Sequence, residues 1–198
     1  MATLLGFFAI LLYFSSEPLR RIDRNAASAI GGTGWLDALS IIGDQWVIIT
    51  ISLLLILYLW VFRQNYRGML FVFLSVGVGN VINQLLKQTF ERQRPDFPHG
   101  LETFSFPSNH AMVGLLYLFT VAYFLSEDRA GNAAKWLVWL VAIVLAGAVG
   151  LSRVAGMEHY LSDVAAGWFA GYSWFVAVAV WYEMRERLFR KRPVNEEK

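Results

Sequence analysis

The chain has 198 residues, of which 57% are hydrophobic and only 16% charged, with a net charge of +2. A soluble globular protein carries roughly 25% charged residues, and here the charges form short islands between long apolar runs, so lipid is the expected solvent. So small a net charge gives no footing for nucleic-acid binding, and the absence of cysteine removes disulfides, thiolate nucleophiles and Cys-ligated metals.

The first apolar stretch runs from Leu4 to Phe14. No Lys or Arg precedes it and no clear small-residue cleavage site follows it, so it reads as a retained helix and not as a secretory signal. It falls short of the ~20 residues that a crossing helix needs, and either crosses with help from Ser15 and Ser16 or sits partly inserted. From Pro18 to Ile30, Leu19, Ile22, Ala26 and Ile30 recur near helical spacing, with Arg20, Arg21, Asp23 and Arg24 assigned to other faces. A helix lying in the membrane interface and a solvated connecting loop both fit this pattern. Gly31, Gly32 and Gly34 then mark a turn; without a following Lys-Ser/Thr they make no phosphate loop.

Five further stretches predict spanning helices: Trp46 to Phe62, Met69 to Leu86, Ala111 to Leu125, Trp136 to Leu151 and Val164 to Tyr182. The third and fourth of these are short and borrow polar residues at their ends. The expected fold is all-α, an integral membrane bundle of about six transmembrane helices with an interfacial helix after the first. It forms a single membrane-embedded domain over residues 1–198, ending in a charged tail at 183–198. Arg63, Arg67, Arg129, Lys135 and the basic residues of the tail fall in one set of alternate loops. Arg20, Arg21, Arg24, Lys87, Arg92, Arg94 and Arg153 fall in the other. The first set is richer, which places it and both termini in the cytoplasm and puts residues 87–110 and 152–163 together on the outer face.

All three histidines, His99, His110 and His159, lie in or beside those two outer loops, with Lys87, Arg94, Arg153 and Asp163. Three cations at the mouth of a helical bundle repel one another unless an anion sits between them. Phosphate fits, because Arg offers a planar fork of donors to its oxygens and Lys a point charge. Ser105 to His110 precedes an apolar helix, so Ser108 or Asn109 can cap it, and the free N–H groups of a helix start favour an anion. An ordinary cap accounts for the Pro, Ser and Asn but leaves His110 without a purpose. His159 and Asp163, four residues apart, share one helix face. A carboxylate there can hold one imidazole nitrogen and leave the other free to attack.

Lys87-x6-Arg94-Pro95, then Pro107-Ser108-Asn109-His110, then Ser152-Arg153-x5-His159-x3-Asp163 resembles the three-part signature of the type 2 phosphatidic acid phosphatase superfamily. Order and internal spacing both match, and the implied six-helix body covers nearly the whole chain. The resemblance implies metal-independent dephosphorylation of a membrane lipid phosphate or pyrophosphate, with no cofactor, at the outer face of a bacterial inner membrane. Phosphatidylglycerophosphate, undecaprenyl pyrophosphate and the 1-phosphate of lipid A are the substrates that compact members suggest. It implies that His159 attacks phosphorus to form a phosphohistidine, that Asp163 orients it and that His110 protonates the leaving oxygen. Lys87, Arg94, Arg153, Ser108 and the N–H of Asn109 would hold the phosphate. The family usually has Gly where this chain has Asn109; if that Gly serves a left-handed conformation, Asn is the next most tolerant residue.

A vanadate-dependent haloperoxidase resembles the same anion site, but those enzymes are soluble. A transporter or non-catalytic lipid-phosphate binder would not need a nucleophile, its orienter and an acid. Among the remaining polar residues, Asn80, Asn83 and Gln84 read mainly as hydrogen-bonding partners of a neighbouring helix. Arg92 and His99, outside the signature, read as solvated. Gly167 and Gly171, with Ala146, Gly147 and Gly150, predict tight helix packing within the chain. Trp46, Trp60, Trp136, Trp139 and Trp181 predict interfacial anchors.

Overall fold

A computed structural model describes residues 2–95, 103–127 and 131–190, with side chains only as far as 185 in the last segment. Among these residues every regular element is helical. Helix α1 (Ala2–Tyr13) is followed by α2 (Glu17–Ile30), whose first turn carries a proline. The two axes meet at 100°. With 12 residues, α1 is about 18 Å long against a hydrocarbon core of about 30 Å, and it packs along the last helix. The segment from Pro18 to Ile30 is thus helix and not loop.

Helix α3 (Gly34–Asp37) runs into a 3-10 turn (Ala38–Gly43), and Asp44 then caps α4 (Gln45–Val61) by accepting the Trp46 N–H at 2.8 Å. The next span, Tyr66–Phe90, comprises α5 (Tyr66–Val72), a π-helical turn (Phe73–Val78) and α6 (Gly79–Phe90). A π-turn shifts the backbone hydrogen-bonding pattern, and here the Trp174 indole donates to the Leu74 carbonyl at 2.9 Å. Helices α7 (Asn109–Glu127), α8 (Asn132–Ala155) and α9 (Leu161–Arg190) complete the bundle. The last helix continues past Tyr182, so the charged tail begins as an extension of it.

Among the described residues four helices are long and apolar enough to cross a membrane, or up to six if each bent pair counts as one span. Helix α7 is central, buried over most of its length and packed on α8 and α9. Large apolar side chains of α4 and α8, among them Leu53, Leu54, Leu140 and Val144, are exposed, as lipid-facing residues are.

Gly167 and Gly171 decide how closely α9 approaches α7. A Cβ at Gly167 would lie 2.8 Å from the Ser108 carbonyl oxygen, and one at Gly171 would lie 2.8 Å from that of Met112. The predicted packing step is therefore internal to the chain, and it presses the start of α7 against α9. Trp46, Trp60 and Trp136 are well exposed near helix ends, as interfacial anchors are. Trp139 instead packs edge-on to Phe119 inside an aromatic cluster, and Trp181 packs against the same core.

Candidate active site

Three chain segments converge at one end of the bundle. Helix α6 ends in a left-handed residue, Glu91, with φ of 45°, which turns the chain into the non-helical stretch carrying Arg92 and Arg94. The Phe106–Pro107 peptide bond is cis, Phe106 is fully buried against the rings of Phe7, Phe14 and Phe90, and α7 begins two residues after Pro107. The loop between α8 and α9 folds back on its own beginning, the N–H groups of Glu158 and His159 both donating to the Arg153 carbonyl at 3.1 Å. The Ser108 N–H donates to the Asp163 carbonyl at 3.1 Å, which fixes the start of α7 against the start of α9.

These segments enclose a cleft of about 460 Å³ lined by Lys87, Arg94, Asn109, His110, Arg153 and His159, together with Thr103, Glu158 and residues of the 3-10 turn and α4. Seven of the eight signature side chains are thereby accounted for, with Asp163 directly behind His159. Ser108, the eighth, is fully buried at the start of α7.

His159 is 4% exposed and Asp163 completely buried. The imidazole Nδ1 lies 3.5 Å from Asp163 Oδ2, and Nε2 lies 3.1 Å from Arg94 Nη1. A guanidinium only donates, so Nε2 is the acceptor and the ring proton sits on Nδ1, facing the carboxylate. The lone pair of Nε2 thus faces Arg94 at the wall of the cleft. Burial pushes the His159 pKa down to about 4; Asp163 opposes that shift, and Lys87 and Arg94 reinforce it. The imidazole is therefore neutral at neutral pH.

The cations are held by backbone carbonyls and by a carboxylate. Lys87 Nζ donates to the Phe104 carbonyl at 2.7 Å. Arg94 donates to the carbonyl and hydroxyl of Thr103 at 2.7 and 2.8 Å and to the Glu158 carbonyl at 2.8 Å. Burial lowers the Arg94 pKa, with Asp163 opposing. Arg153 Nη2 pairs with the Glu158 carboxylate, while its Nε is buried without a partner. Ser108 Oγ and Asn109 Oδ1 are likewise buried without partners. A buried polar atom left unpaired costs about 1–3 kcal/mol, so this concentration of unpaired atoms at one cleft marks a place built for a polar ligand.

Several expectations are corrected by this geometry. Ser108 precedes α7, but its hydroxyl is not spent on a helix cap. Asn109 opens α7 without a positive φ, so left-handed tolerance does not explain the residue. Arg92, expected to be solvated, has a side chain only 9% exposed. Its Nη1 donates to Asp163 Oδ1 at 2.6 Å and its Nη2 to Asp23 Oδ2 at 3.0 Å. Asp23, assigned to a polar face of α2, is 3% exposed. Spacing held the signal: Asp23 follows Leu19 by four residues and precedes Ala26 by three and Ile30 by seven, which puts it in the buried stripe. Asn83 is fully buried and bonds the Pro107 carbonyl at 3.4 Å, as a structural amide would. His99 lies outside the described residues. Among the described residues no group of three or more His, Cys, Asp or Glu is arranged to hold a metal ion.

Comparison with known proteins identifies the family. A model of the PAP2 superfamily matches residues 68–187. Phosphatidylglycerophosphatase B of Bacillus subtilis is 34% identical over 133 residues, which make up 66% of this chain and 65% of that protein. The chain thus spans just under two thirds of that relative's length. Undecaprenyl-diphosphatase of Sulfolobus acidocaldarius is 26% identical over 178 residues, 86% of this chain and 79% of that one. The crystal structure of a transmembrane PAP2-type phosphatidylglycerolphosphate phosphatase from Bacillus subtilis superposes with a TM-score of 0.83 at 26% identity, covering 96% of this chain and 98% of that one.

Proposed function

The chain belongs to the PAP2 superfamily, and from that membership and the cleft around His159 we propose that it hydrolyses the phosphate or pyrophosphate of a membrane lipid through a phosphohistidine. The observation that carries this reading is the disposition of His159, a neutral imidazole with Nδ1 turned to a buried carboxylate and Nε2 facing Arg94, a cation that a phosphate would draw away, in a cationic cleft.

Lys87, Arg94 and Arg153 grip the phosphoryl oxygens, with Ser108 Oγ and the N–H of Asn109 as further donors. Nε2 of His159 attacks phosphorus as the bond to the leaving oxygen breaks, and His110 gives that oxygen its proton. Asp163 holds the Nδ1 proton and stabilises the charge that the ring acquires. A water then gives a proton to His110 and attacks phosphorus, the N–P bond breaks, and phosphate leaves with the histidine restored. Phosphoryl transfer needs mainly positioning and positive charge, which three fixed cations supply. The lipid enters sideways between helices with its tails in the bilayer, and the headgroup reaches the cleft at the outer face of a bacterial inner membrane. Phosphatidylglycerophosphate, undecaprenyl pyrophosphate and lipid A 1-phosphate have the required form of one apolar end and one terminal phosphate.

The test is phosphate release by the detergent-purified protein over a panel of these lipids in EDTA. Turnover is expected to survive chelation and to fall by about 10⁴-fold or more in His159→Ala. Quenching in alkaline detergent with substrate labelled in the phosphate should trap an acid-labile, base-stable phosphoprotein in the native protein and none in the variant. Binding of the lipids without release from any of them would favour a lipid-phosphate binder instead.

A further inference from the structure

Asp163 has one oxygen turned to His159; its other oxygen points the opposite way, into a second set of buried charges. Oδ2 accepts the Tyr160 N–H at 3.0 Å and faces His159 Nδ1. Oδ1 accepts from Arg92 Nη1 at 2.6 Å, and the same nitrogen lies 2.8 Å from Ser162 Oγ. Through Nη2 the guanidinium reaches Asp23 on α2, 69 residues earlier in the chain, at 3.0 Å. Asp23 in turn accepts the Ser162 N–H at 2.8 Å and its hydroxyl at 2.7 Å. The Arg92 guanidinium also lies against the Tyr160 and Phe14 rings, its Cζ 4.2 and 5.2 Å from their centroids. All three charged side chains are nearly or wholly withdrawn from solvent, at 2%, 9% and 0% exposure for Asp23, Arg92 and Asp163.

Such an arrangement is costly unless its geometry is enforced, because each ion loses its hydration and only close pairing restores it. Its chemistry is also directional. A planar guanidinium bridging two carboxylates fixes the plane of each, whereas an ammonium would supply charge without orientation. We propose that Arg92, held by Asp23 of helix α2, is a positioning residue for the reaction: it sets the orientation of the Asp163 carboxylate and through it the aim of the His159 imidazole. Arg92 touches neither the cationic cleft nor His159 in this role. The pair also ties α2 to the catalytic dyad, so that the helix following the 100° bend is part of the active-site support. This inference rests on the phosphohistidine reading, which His159→Ala in the otherwise native protein tests separately.

The experiment compares Arg92→Gln, Arg92→Lys and Asp23→Asn in the native protein, and Arg92→Gln in an Asp163→Asn background, by steady-state phosphate release from one lipid phosphate. Each protein is first checked for a monodisperse detergent peak. A misaimed nucleophile costs about 100-fold in rate, so Arg92→Gln should lower kcat by about that factor and leave KM within about twofold. Asp23→Asn should lower kcat by about tenfold in the same pattern, since the bridge loses one end only. Residues acting through one another are strongly non-additive; in the Asp163→Asn background the Arg92 change should therefore cost less than about threefold. Arg92→Lys keeps a buried cation, and so serves where the glutamine variant does not fold; it too should lose at least about tenfold in kcat at unchanged KM. Native-like turnover in Arg92→Lys and Asp23→Asn would overturn the proposal. So would an equal loss from Arg92→Gln with and without Asp163, or a loss expressed in KM. Loss of His159 dependence would instead overturn the phosphohistidine reading and leave the Arg92 comparison as a separate result.

Discussion

An imidazole attacks phosphorus only when one ring nitrogen carries a free lone pair, and an ordinary histidine with a pKa near 6.5 forfeits it in weakly acidic conditions. At His159, burial displaces this value to about 4 despite Asp163. The sign follows directly: the nucleophile stays neutral from pH 7 down to about 5 and becomes protonated as the pH falls through 4. After correction for the second ionisation of the substrate phosphate, near 6, the acid limb of kcat/KM assigned to His159 should fall near pH 4. A limb near 6.5 would mean that the imidazole is solvated. Asn109 invites a second measurement at this scale. Its Oδ1 is buried and unpartnered at the edge of the cleft, and its backbone is not left-handed. Asn109→Gly should therefore widen the cleft and reorder the preference among lipid phosphates, with kcat on the favoured one changed by less than about tenfold. An inactive Asn109→Gly variant would contradict that reading. The signature residues were legible because local spacing carries them, as with the four-residue step from His159 to Asp163. The pairing of Arg92 with Asp23 was not, because it spans 69 residues; the spacing of Asp23 marked its burial but not its partner, since charge in an amphipathic segment reads by default as solvated.

The apolar runs show through at the level of elements because a crossing helix must be continuous and apolar; each of the five predicted stretches after the first lies essentially within a helix. The 100° bend between α1 and α2 has only a local signal, Ser16 and Pro18 at the start of α2, which marks a new helix but not its direction. The π-turn at Phe73–Val78, where the Leu74 carbonyl accepts from an indole 100 residues away, has no comparable signal. The close approach of α9 to α7 did leave a trace in Gly167 and Gly171. Because the added Cβ of Gly167→Ala meets the Ser108 carbonyl oxygen at 2.8 Å and Ala111 Cβ at 2.9 Å, α7 has to shift at its first residues. Overpacking of this kind costs about 1–3 kcal/mol. Because Ser108, Asn109 and His110 ride on those residues, kcat should fall by about 10- to 100-fold. Gly147→Ala is the control. Nothing lies within 4 Å of its added Cβ, so thermal stability should hold or rise and turnover should be unchanged. If the two alanines behaved alike, close packing at Gly167 would not be what positions the site.

On the scale of the whole molecule, the cleft lies at one end of the bundle, and from the distribution of Lys and Arg we propose that this end faces the exterior. Among the described residues only α7 separates residue 93 from residue 133. With 19 residues it is about 28 Å long, enough to cross the hydrocarbon core. The two positions therefore lie on opposite sides of the membrane whatever α1 does. The chain has no cysteine, so single replacements at exposed positions can be labelled without background. Gln93 borders the hollow between α2 and the active-site loops, and Ala133 stands exposed at the start of α8. In intact spheroplasts, Gln93→Cys should react with a membrane-impermeant maleimide, and Ala133→Cys should react only after the membrane is opened. The reverse pattern would place the cleft in the cytoplasm and remove lipids of the outer leaflet as its substrates. Labelling of both in intact cells would mean that α7 does not cross. The active site would then be supported by something other than the bundle that its apolar surfaces imply.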